Sequence, residues 1–158
     1  MIIRRANAGD VPAVRDIVER AYSVYMERIG RRPGPMDDGY DARGREANVF
    51  VAEGSDGAVA GLIVLAPARG HVLMENVALD PDRQGAGIGR ALLAYAEEFA
   101  LGRGVAEVRL YTHVTMTENQ AMYRRLGYRQ DGLEIGSDFQ RVHFSKRLGA
   151  AVVRRDCA

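Results

Sequence analysis

The sequence predicts an α/β (mixed α+β) fold, a twisted mixed sheet of about seven strands flanked by about four helices. Three observations lead there. Short β-rich runs alternate with helix-period runs in the order β-α-(α)-β-β-β-α-β-α-β-β. The apolar run Val72 to Leu79 leads through a glycine-rich turn into the Ala/Leu-rich stretch Ala91 to Ala100, a strand–loop–helix unit. An apolar content of 47% with 27% charged residues over 158 residues is ordinary for one globular domain with a sizeable core. Residues 1–149 are read as that domain and 150–158 as a tail.

In order, Met1 to Ala6 is a strand and Asn7 to Asp10 a turn, with Asp10 the expected cap of the first helix and Pro12 tolerated in its first turn. Val14, Ile17, Val18, Ala21 and Tyr25 then recur at helical spacing, and that helix is expected to stop near Gly30. Arg31 to Gly44 is broken by Pro33-Gly34-Pro35 and Asp37-Asp38-Gly39, with room for one short helix. Val49 to Ala52 and Val59 to Leu65 form a hairpin about Ser55-Asp56-Gly57. His71 to Leu79 is the next strand. Ile88, Leu92, Tyr95, Ala96 and Phe99 mark one face of a helix closing at Gly102-Arg103-Gly104. Val108, Leu110, Thr112 and Val114 alternate as in a strand. A short helix over Asn119 to Leu126 stops at Gly127, and strands near Arg129 to Ile135 and Arg141 to Leu148 meet at Gly136-Ser137-Asp138.

Composition excludes several functions. A net charge of +1 argues against nucleic-acid binding driven by bulk charge. No apolar run approaches the roughly 18 residues that span a bilayer, and the early charges at Arg4 and Arg5 do not suit a signal peptide. Cys157 is the sole cysteine, which leaves no internal disulfide and fits a cytoplasmic setting. Lys146 is the sole lysine, every other basic side chain being arginine. No residue is assigned to a metal.

The chemistry concentrates in Asp80-Pro81-Asp82-Arg83-Gln84-Gly85-Ala86-Gly87-Ile88-Gly89-Arg90. Gly85, Gly87 and Gly89 allow a ligand close to the backbone, and the following helix offers unpaired N–H groups and the positive end of its dipole. A phosphate or pyrophosphate suits such a site. A Walker loop is excluded for want of its lysine. A dinucleotide fingerprint is excluded by spacing, because the sixth position is Arg90 counted from Gly85 and Leu92 counted from Gly87.

What does fit is Gln84-x-x-Gly87-x-Gly89 after Asn76-Val77-Ala78-Leu79-Asp80-Pro81. This resembles the acyl-CoA loop of the GCN5-related N-acetyltransferase (GNAT) superfamily. Tyr123-Arg124-Arg125-Leu126-Gly127-Tyr128 resembles that family's Tyr-x-x-x-Gly-Phe/Tyr segment, and Leu110-Tyr111-Thr112 through Met116-Thr117-Glu118-Asn119 is similar to one of its branches. The matches cover about Val72 to Arg129, with weaker agreement over nearly the whole chain.

The resemblance implies a sheet splayed at its central strands and an acetyl-CoA-dependent transfer to an amine of a small molecule or peptide. It implies that the backbone of Gln84, Gly85, Ala86, Gly87, Ile88, Gly89 and Arg90 cradles the pyrophosphate, with Arg83 and Arg90 either adding charge or merely solvated. It also implies that Val77, Ala78 and Leu79 pair with the pantetheine arm, that Asn119 bonds the arm or else caps its helix, and that Tyr123 is the general acid. Met116 departs from the pattern, since many members carry asparagine there. The base is not fixed by the resemblance: Glu75, on the side of the sheet shared with Val77, leads, and His113, beside Tyr111 on the next strand, follows. The acceptor is expected near Tyr22 to Tyr40 and near Asp138, with Asp37 and Asp38 either attracting a cationic amine or merely part of a solvated loop. A homodimer is compatible with all of this. The alternative is a non-catalytic acyl-CoA-binding module on the same fold.

Overall fold

The computed structural model of the chain describes residues 1–23, 25–26, 48–136 and 140–149. Seven strands form one mixed sheet: β1 (Ile2–Arg5), β2 (Asn48–Glu53), β3 (Val59–Ala68), β4 (His71–Leu79), β5 (Glu107–His113), β6 (Arg129–Ile135) and β7 (Gln140–Arg147), in the order β1-β2-β3-β4-β5-β7-β6. Three α-helices lie among the described residues, α1 (Val11–Ser23), α2 (Ile88–Gly102) and α3 (Thr117–Arg125). The short helix expected between Arg31 and Gly44, the end of the first helix near Gly30, and the acceptor candidates Asp37, Asp38, Tyr40 and Asp138 lie outside the described residues. The chain falls into two compact units, Met1–Ala66 with Glu75–Tyr95 and Pro67–Met74 with Ala96–Ala158.

In the first unit β1 pairs antiparallel with β2 and β2 with β3. The apolar stripe of α1 buries Val14, Ile17 and Val18 in one cluster with Val49, Val51, Leu62, Val64 and Ala78. Each such side chain removed from water contributes about 1.5–3 kcal/mol. That burial places the C-terminal end of α1 beside the end of β4, where the Tyr22 hydroxyl donates to Asn76 Oδ1 at 2.5 Å. The entry to α1 corrects one expectation. Asn7, not Asp10, is the cap: its Oδ1 accepts the Gly9 N–H at 2.9 Å, while Asp10 Oδ2 accepts the Asn7 N–H at 2.8 Å. A 3-10 turn, Ala8–Asp10, precedes the helix, so the carboxylate lies one turn inside and reaches back, closing a capping box.

In the second unit β7 pairs antiparallel with both β5 and β6. Val108, Leu110, Thr112, Val142 and Phe144 point to the buried side, and Tyr123 of α3 packs on Phe144 with ring centroids 5.9 Å apart. Of the expected face of α2, Ile88, Leu92 and Ala96 are buried and Tyr95 and Phe99 half-buried, and Leu93 and Ala100 are buried as well. Phe99 lies under the Arg103 guanidinium, 5.6 Å from its ring centre. The parallel β4–β5 register comprises Val72↔Val108, Leu73↔Arg109 and Met74↔Leu110, so Glu75 to Leu79 extend past it.

Candidate cofactor loop and active-site residues

Between β4 and α2 the chain turns twice. Pro81–Arg83 is a single 3-10 turn capped by the Asp80 carboxylate, and the glycine loop follows. Gly85 (φ +89°) and Gly87 (φ +79°) are left-handed, a conformation side chains disfavour, which is why glycine stands at these two positions. A Cβ at either would meet nothing within 4 Å, so the loop's outer side is open. Among the described residues the N–H groups of Gln84, Gly85, Ala86 and Gly87 donate to no protein acceptor, and the first helical bond of α2 runs from Ala91 N–H to the Gly87 carbonyl. The N–H groups of Ile88, Gly89 and Arg90 are the orphans every helix start leaves. Seven consecutive amides are thus left for a ligand, beside the positive pole of a helix of 15 residues. An anionic diphosphate fits this donor set. The Arg90 guanidinium makes no ion pair among the described residues. Arg83 is engaged, its Nη2 lying 2.7 Å from Asp56 Oδ2.

On β4 the strict alternation of burial puts Glu75, Val77 and Leu79 on one half-buried face and Asn76 and Ala78 on the buried one. These residues and the loop belong to the first unit; His113, Asn119 and Tyr123 belong to the second.

In the second unit, α3 ends as a Schellman motif. The Tyr128 N–H reaches the Tyr123 carbonyl at 3.0 Å and the Gly127 N–H reaches that of Arg124 at 3.1 Å, with Gly127 at φ +93°. The accompanying apolar contact is the pair Tyr123 and Tyr128, edge to face at 6.2 Å. The spacing Tyr-x-x-x-Gly-Tyr is therefore what this helix stop requires. Tyr123 itself is 4% exposed. Burial, and the Glu97 carboxylate that its hydroxyl meets at 3.2 Å, push the Tyr128 phenol well above its ordinary pKa.

Asn119 lies two residues inside α3, which opens at Thr117 after Met116, so it is not the helix cap. Its half-buried side-chain amide makes no hydrogen bond among the described residues. His113 ends β5. Its Nδ1 accepts the Thr115 N–H at 3.1 Å and lies 2.9 Å from the Thr115 hydroxyl. A nitrogen that accepts an N–H carries no proton, so the neutral ring bears its proton on Nε2. Protonating Nδ1 would break the turn that starts α3.

Against this geometry, residues 11–128 match the model of the acetyltransferase (GNAT) family. The chain belongs to the GNAT acetyltransferase family. It is 32% identical over 117 residues to a mycothiol acetyltransferase of Clavibacter sepedonicus, covering 73% of this chain and 38% of that protein. It is 32% identical over 102 residues to a streptothricin acetyltransferase of Streptomyces lavendulae, covering 62% of this chain and 53% of that one. The chain thus spans less than about half the length of the first of these curated relatives and about half of the second. Among solved structures, nourseothricin acetyltransferase aligns at TM-score 0.59 with 30% identity over 65% of this chain and 66% of that one. The PaiA N-acetyltransferase of Thermoplasma acidophilum, determined with coenzyme A, aligns at 0.76 over 92% of this chain and 98% of its own, with 17% identity. The last likeness speaks for the fold alone.

Several residues around the GNAT motifs escape a reading of sequence. Gln120, buried in α3, donates through Nε2 to the carbonyls of Val114 at 3.0 Å and His113 at 3.3 Å, closing the turn after β5. Met116 takes the Thr112 hydroxyl on its sulfur at 3.4 Å, both side chains being buried. Lys146 holds the Leu126 carbonyl at 2.9 Å and both Glu97 oxygens at 3.2 Å, neutralising the C-terminal end of α3. Asp80 and Arg20 meet at 2.8 Å at the entry to the glycine loop. No spacing rule pairs residues 60 positions apart.

Proposed function

We propose that this chain transfers the acetyl group of acetyl-CoA to a primary amine of a small molecule. The observation that carries the proposal is the run of seven amides, Gln84 to Arg90, at a helix N-terminus and without protein acceptors among the described residues. These amides hold the diphosphate, and Arg90 supplies the side-chain cation. Val77, Ala78 and Leu79, past the end of the β4–β5 register, offer main-chain groups to the pantetheine arm, and the Asn119 amide adds a side-chain contact. Bound acetyl-CoA supplies an activated thioester.

The protein's own part is orientation and proton management. Glu75 takes the proton that a protonated amine must lose before it can attack. Tyr123 gives the proton of its hydroxyl to the departing thiolate. His113 holds the turn with the nitrogen that would otherwise accept a proton, which supports Glu75 as the base. The relatives named for mycothiol and streptothricin support a small-molecule acceptor over a peptide.

Calorimetric titration with coenzyme A tests the loop, and thiol release with a panel of amines tests the chemistry. Bound ligand at a hundred times its Kd stabilises the fold by about 2.7 kcal/mol, which a thermal melt also reads. Protein that binds coenzyme A and acetylates none of the amines is a binding module; protein that gives no heat with the coenzyme refutes the proposal.

A further inference from the structure

The glycine loop is useful only if its amides are held in place before a ligand arrives, and three glycines in five residues make it costly to order. What orders it lies just upstream, in the elbow Asp80 to Arg83. The Asp80 N–H donates to the Ala60 carbonyl at 2.9 Å, fastening the elbow to β3. The Asp80 carbonyl accepts the Arg83 N–H at 2.9 Å, and its Oδ1 accepts the Asp82 N–H at 2.9 Å. That same oxygen takes Arg20 Nη1 at 2.8 Å, and Arg20 is itself held by Asp16 one helical turn earlier at 2.9 Å. Arg83, at the other end of the elbow, grips Asp56 with both terminal nitrogens, at 2.7 and 3.3 Å. Asp56 is fixed in the β2–β3 turn by the Ala58 N–H at 3.1 Å. Gly54 makes room for the guanidinium, since a Cβ there would come within 2.9 Å of Arg83 Nη1.

We infer that Arg20–Asp80 and Arg83–Asp56 are two braces that position the cofactor loop, and that Arg83 is a positioning residue and not a phosphate ligand. The inference rests on the proposed coenzyme A site. It parts the two cations that flank the loop: Arg83 orders the loop from the β2–β3 hairpin, and Arg90 alone faces the phosphate. Arg20 and Asp56 gain a part in coenzyme binding although neither belongs to the loop.

The test is coenzyme A affinity by calorimetry for the wild type, Arg83→Met, Asp56→Asn, the double variant and Arg20→Met, each with a thermal melt. A brace of this exposure is worth about a two- to fivefold change in Kd. Arg83→Met and Asp56→Asn are each expected to weaken binding by that factor, and the double variant no further than either single one. Arg20→Met shows a similar loss, with kcat kept and only the KM for acetyl-CoA raised. A direct phosphate contact predicts otherwise: Arg83→Met loses about ten- to a hundredfold, Asp56→Asn little, and their effects multiply. That pattern, or unchanged affinity in both Asp56→Asn and Arg20→Met, overturns the braces while leaving the coenzyme site standing. Wild-type protein that binds no coenzyme A removes the site itself and the braces with it.

Discussion

Tyr123 serves the fold, and the proposed mechanism gives its hydroxyl a second part. Its ring packs on Phe144 and Tyr128, and its carbonyl takes two of the N–H groups that close α3. Tyr123→Phe keeps all of that and deletes only the hydroxyl. Turnover is expected to fall about ten- to a thousandfold, the range of general acid–base effects. Unaltered kcat removes the acid role. For the base, Glu75→Gln is expected to lose the acidic limb of the pH–rate profile. His113→Asn keeps that limb, because an amide oxygen can accept the Thr115 N–H in place of Nδ1. A limb that moves with His113 and stays with Glu75 reverses the two assignments.

Helix ends do much of the positioning in this chain. The left-handed Gly127 follows the end of α3 and lets Tyr128 turn back toward Tyr123, and a Cβ there would lie 3.3 Å from Lys146 Cε. Gly127→Ala is expected to cost about 1–2 kcal/mol from the backbone alone, with a further loss as Lys146 gives way. Chemical denaturation reads both, and a neutral substitution contradicts the cap. At the other end of the chain, α1 depends on its buried stripe. Ile17→Ala is expected to lose about 2–5 kcal/mol, the range for deleting a large core side chain. Coenzyme affinity falls with it in proportion to the loosening of Arg20 at the helix's last turn.

Across the molecule the pH dependence of stability has a definite sign. Arg4 holds Asp10, Arg20 holds Asp80, Arg109 holds Glu107, and Arg83 holds Asp56, each lowering the carboxyl pKa, in the last case to about 2. A carboxylate whose folded pKa lies below its unfolded value adds stability that is complete above about pH 4 and lost as the pH falls through the folded value. Melting temperature is therefore expected to drop between about pH 4 and 2, and Asp80→Asn to flatten that drop. The raised Tyr128 phenol works the other way: its contribution is intact below about pH 10 and lost above it. A melting temperature independent of pH at both extremes contradicts these pairings. No described helix is long and apolar enough to cross a membrane.

Local chemistry was enough to read the strand–loop–helix unit, because left-handed glycines and an amphipathic helix leave their mark within a dozen residues. The element order was legible for the same reason, since periods of 2 and 3.6 belong to short windows. The Tyr-x-x-x-Gly-Tyr stop was visible as a spacing before its cap geometry was. Position across the chain was not legible. That Asn7 and not Asp10 caps the first turn depended on an extra 3-10 step. That Arg83 answers to Asp56, and Arg20 to Asp80, was decided by which turns the sheet and α1 bring together, across separations of 27 and 60 residues. A guanidinium beside a glycine loop looks the same in sequence whether it points at a ligand or at a carboxylate. Only folding, which sets the distance between charges, decides which of the two attractions prevails.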